Sequence, residues 1–256
     1  MRACKVLVPL PAYGFDPSET AIPWKLLTDQ GFEVSFSTPR GSMAAADTLM
    51  LSGKGLGVWK PVLRARQDAL AAYAQMQICP EFRQPWKYEE VEEADYDALL
   101  LPGGHDKGVR EYLESSLLQQ LTANFFRAGK PVAAICHGVV LAARSIDPIT
   151  GNSVLRGYKT TALLRSQELL AYQMTRWWLK DYYLTYPEVT VEDEVTAVLA
   201  DAVQFHRGPN PLLRDDHRHL DRGFTVRDRN YLSARWPGDV YSFSLELAAM
   251  ISSPEV

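Results

Sequence analysis

The sequence predicts an α/β protein: a mainly parallel sheet flanked by helices on both faces. Three observations carry this. Short, wholly apolar runs such as Ala98-Leu99-Leu100-Leu101 and Val132-Ala133-Ala134-Ile135 read as strands buried on both sides, as parallel sheets require. Helical stretches separate these runs, so strand, helix and strand alternate as in βαβ units. The chain has 256 residues, 46% of them hydrophobic, which is enough to fill one large core.

The elements follow in order. Val6 to Leu10, closed by prolines and Gly14, is a buried first strand. Asp16-Pro17-Ser18-Glu19 then places an N-cap Asp, a Pro at the first helical position and a Glu at the third. The helix runs through Trp24, Leu26 and Leu27 to Gly31, and Phe32 to Ser37 alternates as a second strand. Residues 40–95 break the rhythm. Gly41, Gly53, Gly55 and Gly57 mark loop, Val62 to Met76 fits a helix, and Pro80, Pro85 and the acidic 89–95 stretch mark further loop. We expect this region to be a cap inserted into one domain spanning 1–256. The α/β rhythm resumes at Ala98 to Leu101, ending at Pro102-Gly103-Gly104-His105. Leu113 to Phe126 reads as a helix, Pro131 to Ile135 as a strand and Gly138 to Ser145 as a helix. Further on, Gly157 to Leu163 reads as a strand and Ser166 to Tyr183 as a long helix. Residues 224–234 form a hairpin around Asp228 to Asn230, and Val240 to Ile251 is a closing helix. There is no internal repeat.

Composition excludes several classes. A net charge of −4 gives no general grip on nucleic acid or an anionic membrane. Cys4, Cys79 and Cys136 are too few and too scattered for a disulfide framework or a structural zinc site. The first apolar run is too short for a signal-peptide core, and no stretch approaches the roughly 18 apolar residues that span a bilayer. The expectation is a soluble, cytoplasmic protein without metal. Asp215-Asp216-His217-Arg218-His219 has metal-capable side chains but reads as an exposed, charged loop. Trp177, Trp178, Tyr182, Tyr183 and Tyr186 read as core or dimer packing rather than a substrate shelf, and Glu192-Asp193-Glu194 as a solvated helix start.

Ligands of parallel sheets bind beyond the carboxyl ends of the strands. That rule selects the loops 9–18, 38–41, 102–106 and 136–138. Cys136 stands where a buried strand turns at once into a helix, the geometry of a nucleophile elbow. A helix N-terminus lends positive charge that favours thiolate. His137 is placed to act as base, and its amide to face an oxyanion. Gly103 and Gly104, lacking Cβ atoms, let backbone N–H groups approach a ligand, with Gly104 as a second oxyanion donor. Glu19 has two readings. It completes a capping box behind Asp16, or it is a carboxylic acid kept partly protonated at the rim, bonded to the sulfur or moving a substrate proton.

Glu19 in Gly14-Phe15-Asp16-Pro17-Ser18-Glu19, Leu101-Pro102-Gly103-Gly104-His105 and Ala134-Ile135-Cys136-His137-Gly138 together resemble the ThiJ/PfpI superfamily. That superfamily has the flavodoxin-like, class I glutamine amidotransferase-like fold. The 15–24 run and the long insertion resemble its glyoxalase III and heat-shock chaperone branch. The resemblance implies that Cys136 is the nucleophile, Glu19 its carboxyl partner and His137 the catalytic histidine. It places Gly104, Gly103, His105 and the His137 amide at the oxyanion and substrate site. It implies a homodimer without cofactor that takes a small aldehyde or ketoaldehyde, converting methylglyoxal to lactate. Relatives are also described as deglycases, chaperones or peptidases. In one respect the chain departs from the pattern. Relatives often present an acid to the histidine from downstream; here Arg165 stands at that place, and Glu168 is the best substitute. Alternative readings are a cysteine amidase or peptidase, which needs that acid, a redox sensor working through Cys136 oxidation, and a holdase chaperone.

Overall fold

Val6, Leu7, Val8, the whole of 98–101 and the whole of 132–135 have no exposed surface, and these three runs form the middle of a single sheet. The computed structural model describes residues 3–253. In chain order the elements are β1 (Lys5–Pro9), β2 (Tyr13–Phe15), α1 (Pro17–Asp29), β3 (Glu33–Thr38), β4 (Ala45–Ala46), α2 (Thr48–Ser52), α3 (Lys60–Leu63), α4 (Gln67–Met76), α5 (Pro80–Arg83) and β5 (Trp86–Lys87). Then come β6 (Ala98–Leu101), α6 (Arg110–Leu113), α7 (Ser116–Arg127), β7 (Val132–Ile135), α8 (Gly138–Arg144), α9 (Arg165–Leu179), α10 (Val191–Val198), β8 (Thr225–Asp228), β9 (Tyr231–Ala234) and α11 (Val240–Ser252).

The seven-stranded sheet has the order β5-β3-β1-β6-β7-β9-β8. All neighbours are parallel except the hairpin partners β8 and β9. Around it, α1 packs against α4 and α11, and α8 against α6, α7 and α10. This is the doubly covered parallel sheet that the apolar runs predict. Segment 40–95 supplies the edge strand β5, the strand β4 that pairs with β2, and the helix α4 that packs on α1.

Several expectations need correction. The segment 157–163 is not a strand; only Thr160 makes a bridge, to Phe205. The place beside β7 is taken by β9, in register from Val132–Tyr231 to Ile135–Ala234. The segment is held by side chains instead: Ser233 Oγ accepts the Thr161 amide at 2.9 Å, and Thr160 Oγ1 lies 3.0 Å from the Tyr231 hydroxyl. The helix read over 62–76 is broken at 64–66, where Arg64 and Arg66 are extended. The helix read from 113 is two pieces, because Ser115 caps α7 by accepting the Leu118 amide. The helix read to 183 ends at Leu179, where Lys180 takes φ 54°.

The acidic start of α10 is solvated only at Asp193. Glu192 is buried, accepting the Arg165 amide at 2.9 Å and the Arg207 guanidinium at 2.6 Å, and Glu194 pairs with Arg144 at 2.6 Å. Asp215 is also buried, and accepts the amides of Tyr241 and Ser242 at 3.1 and 2.8 Å in the first turn of α11. Among the described residues no group of three metal-ligating side chains converges. Of the aromatic run, Tyr183 is buried but Trp177 is 82% exposed. Among the described residues no helix is long and apolar enough to cross a membrane.

Candidate active site

β7 ends at Ile135 and α8 begins at Gly138, so two residues turn the chain. Cys136 makes that turn at φ 57°, a left-handed conformation that costs a residue with a Cβ about 1–2 kcal/mol. The strain persists because the elbow is pressed against the end of β6. A Cβ on Gly138 would lie 2.0 Å from the Leu101 carbonyl oxygen and 2.8 Å from that of Pro102. On the facing turn, a Cβ on Gly103 would lie 2.7 Å from the His137 nitrogen and 2.8 Å from Glu19 Oε2. Gly104 packs just as closely on the β2–α1 connection, with the Gly14 carbonyl 2.5 Å from where its Cβ would be.

The start of α1 is strapped to this turn. Asp16 Oδ1 accepts the amides of Ser18 and Glu19 at 2.7 and 3.0 Å, which is the expected N-cap. The Asp16 amide donates to the Gly103 carbonyl at 2.8 Å, and the Gly103 amide donates to Glu19 Oε2 at 2.9 Å. The capping-box reading of Glu19 therefore fails, because the amide it would accept is already bonded to Gly103. Its carboxyl is buried, Oε1 has no hydrogen-bond partner, and its ionisation is coupled to that of Cys136.

Burial pushes the Glu19 carboxyl well above the usual carboxylate range, and the charge of Asp16 adds to this. Burial thus favours the protonated form of Glu19, and Oε1, unlike Oε2, is free of any hydrogen bond. Burial likewise pushes the Cys136 thiol well up, with the charges of Glu19 and Asp16 adding and the His137 amide opposing. Desolvation thus opposes the pull toward thiolate that the N-terminus of the seven-residue α8 exerts. His137 Nδ1 lies 3.4 Å from the sulfur. Burial, then His105 and Arg144, hold this imidazole well below its usual pKa, so it is neutral and able to accept a proton. The His105 ring meets it edge-on at 4.9 Å and is held down to about 4 by burial.

Cys136 and His137 have no exposed surface. Beside them is a cavity of about 270 Å³ whose wall includes Asp16, His105 and Tyr183. His105 both lines the cavity and touches His137, so it links the two. A family model described as ThiJ/PfpI family-like matches residues 10–202, from the loop after β1 to beyond α10. The chain belongs to the ThiJ/PfpI-like family. Cys136, Glu19 and the Gly103-Gly104 turn all fall within the matched span. A protein/nucleic acid deglycase of Escherichia coli is 42% identical over 76 residues, 29% of this chain and 38% of that protein. A glutathione-independent glyoxalase of Schizosaccharomyces pombe is 25% identical over 153 residues, 59% of this chain and 60% of that protein. The chain thus spans less than two thirds of either curated relative. Among solved structures, a glyoxalase III of Candida albicans superposes with a TM-score of 0.70 at 18% identity, covering 96% of each chain.

One expected partner of this ThiJ/PfpI-like site is not there. Glu168 lies in the first turn of α9, where its Oε2 accepts the Val191 amide at 3.0 Å and holds the start of α10. It does not reach the histidine: His137 Nε2 has no hydrogen-bond partner, and Nδ1 faces the sulfur. Arg165 is turned to Asp193 at 3.4 Å. Burial raises the Glu168 carboxyl to about 7 from an ordinary 4.5. A carboxyl raised by folding stabilises the fold most below its ordinary value, and that stability is lost as pH rises from 4.5 through 7. The loss is about 3 kcal/mol. Glu168→Gln keeps an acceptor for Val191 but cannot ionise, so its unfolding free energy should stay flatter than wild type across this range. Parallel denaturation curves for the two proteins would refute the assignment.

Sequence reasoning did not find Tyr183 or Arg214 as site residues. Tyr183 packs its ring 5.0 Å from His105, and Arg214 shares the cavity wall. Tyr183 was read as the end of a helix that in fact stops at Leu179, and the only signal for Arg214 was a cation following the apolar Pro211-Leu212-Leu213.

Proposed function

We propose that the chain is a cofactor-independent, cysteine-dependent enzyme acting on small reactive carbonyls. It would convert ketoaldehydes such as methylglyoxal into 2-hydroxy acids, as a lyase of glyoxalase III type. The observation that carries this is the arrangement of three groups: a buried thiol on a left-handed elbow, an imidazole 3.4 Å from it, and a buried carboxyl held to the facing turn by the Gly103 amide. The names of the curated relatives, a deglycase and a glutathione-independent glyoxalase, support the substrate class. The resemblance adds a homodimer in the cytoplasm.

The chemistry follows from the charge states. The thiol proton passes to His137 as sulfur bonds the aldehyde carbon, and Glu19 protonates the aldehyde oxygen, giving a hemithioacetal. Burial makes the resulting Glu19 carboxylate an unusually strong base. It removes the hydrogen from the former aldehyde carbon while His137 protonates the ketone oxygen, giving an enediol. Glu19 returns the proton to the adjacent carbon, and His137 takes one from the first hydroxyl. The product is a thioester of the 2-hydroxy acid, which water cleaves to restore the thiol. Both this chemistry and an amidase's place a proton on His137 without a carboxylate at Nε2; that absence counts more against the amidase, which must hold the imidazolium until the amine leaves.

The test is lactate formation from methylglyoxal without glutathione, by wild type and by Glu19→Gln. Gln keeps an acceptor for the Gly103 amide but has no proton to exchange. We expect wild-type turnover and a fall in kcat of about 10²–10³-fold in the variant, with little change in KM. A wild-type protein that makes no lactate would overturn the proposal.

A further inference from the structure

The cavity beside the site is larger and more apolar than a three-carbon ketoaldehyde needs. Its volume is about 270 Å³, and Met50, Leu63, Leu163, Met174 and Trp236 form much of its wall. Asp16, His105 and Gln167 also line it, and one cation interrupts the apolar surface. Arg214 lines the cavity with its guanidinium 5.5 Å from the centre of the Trp236 ring, and donates one hydrogen bond, to the Val62 carbonyl at 2.8 Å.

Among the described residues Arg214 makes no ion pair. The carboxylates whose charges reach it are Asp16, Asp68 and Glu19. Each is engaged elsewhere: Asp16 with the amides of Ser18 and Glu19, Asp68 with Arg66 and the Tyr241 hydroxyl, and Glu19 with Gly103. Arg214 is half-buried at the cavity wall, and its guanidinium keeps its proton at any accessible pH. A ligand carboxylate would meet its remaining N–H groups through two parallel N–H···O bonds, which suit this side chain. The apolar wall adds affinity only to a ligand with an apolar body.

We propose that the cavity takes a carbonyl compound with an apolar body and one carboxylate, which Arg214 holds. His105, which meets the His137 ring edge-on, is the wall residue that joins the cavity to the elbow. This narrows the substrate class and rests on the carbonyl chemistry proposed above.

The test reads binding apart from turnover. Hydrocinnamate, its neutral amide and acetate are titrated into the Cys136→Ala protein by calorimetry. Hydrocinnamate should bind roughly tenfold or more tightly than either the amide or acetate. Arg214→Gln should erase the preference for the acid over the amide, and Arg214→Lys should keep part of it, with melting scans confirming that both variants fold. In wild type, hydrocinnamate should raise the KM for methylglyoxal and leave kcat unchanged. Equal binding of acid and amide, or a preference that survives Arg214→Gln, would overturn the proposal. Arg214-dependent binding in a protein that makes no lactate would overturn the catalytic reading while supporting the assignment of the cavity.

Discussion

Replacing Cys136 with alanine should remove the lactate formation proposed above, lowering turnover by at least about a thousandfold, while the protein still melts within a few degrees of wild type. The first half follows from the absence of a substitute nucleophile. Cys4 precedes β1 and Cys79 caps α5, so neither thiol belongs to the elbow. His137 and Glu19 would remain, but a base and an acid without the sulfur cannot hold the aldehyde carbon through the proton transfer. The second half follows from the backbone. Alanine also has a Cβ, so the strain at φ 57° is unchanged. The lost sulfur contacts in a fully buried place cost about 1 kcal/mol, partly offset by relieving the coupled burial of thiol and carboxyl. A coupled lactate assay and a melting scan on the same preparation check both halves. Turnover near wild type in Cys136→Ala would mean that the chemistry does not run through this sulfur.

Gly138→Ala should destabilise the fold by about 3 kcal/mol or more and abolish activity with it. The atoms that its Cβ would meet are the Leu101 carbonyl oxygen at 2.0 Å, the Leu101 carbonyl carbon at 2.7 Å and the Pro102 oxygen at 2.8 Å. All are backbone, so none can swing aside as a long side chain would. Either α8 or the end of β6 must move. The first move displaces His137, which precedes α8, and the second displaces Gly103, which holds Glu19. Gly157→Ala is the control, because nothing lies within 4 Å of where its Cβ would be, and it should stay within about 0.5 kcal/mol of wild type. Denaturant titration of the three proteins measures this. Wild-type stability and turnover in Gly138→Ala would show that the elbow does not abut β6 as described.

The sheet and the elbow were legible because their signals are local. Apolar runs mark β1, β6 and β7, and Cys136 lies directly between a buried strand and Gly138. Asp16 was legible as a cap, since its partners are two and three residues away. Glu19 shows where local reading stops. Its spacing fits a capping box, yet its carboxyl is used 84 residues away at Gly103. Glu168 failed for a related reason: its position after Cys136 suited a triad, but its partner is the Val191 amide. The misread strand at 157–163 depended on which later segment would occupy the flank of β7, a competition that β9 won. Tyr183 reaches the cavity from beyond the end of the helix read through it, and Arg214 from an irregular segment, where sequence carries no periodic trace of tertiary position.

That same flank governs how the molecule is assembled. β7 lies between β6 and β9, and β9 enters the chain far downstream, after α9 and α10. Pairing across so long a loop is slow, because its closure entropy must be met before the contacts form. Until β9 docks, one side of the strand that leads to Cys136 is open, and the thiol lacks the enclosure it has in the folded protein. A refolding chain in which β7 forms before β9 docks would leave the cysteine open to oxidants that its final burial excludes. Preparations refolded in air should accumulate an inactive, oxidised fraction set by a race between C-terminal hairpin docking and sulfur chemistry.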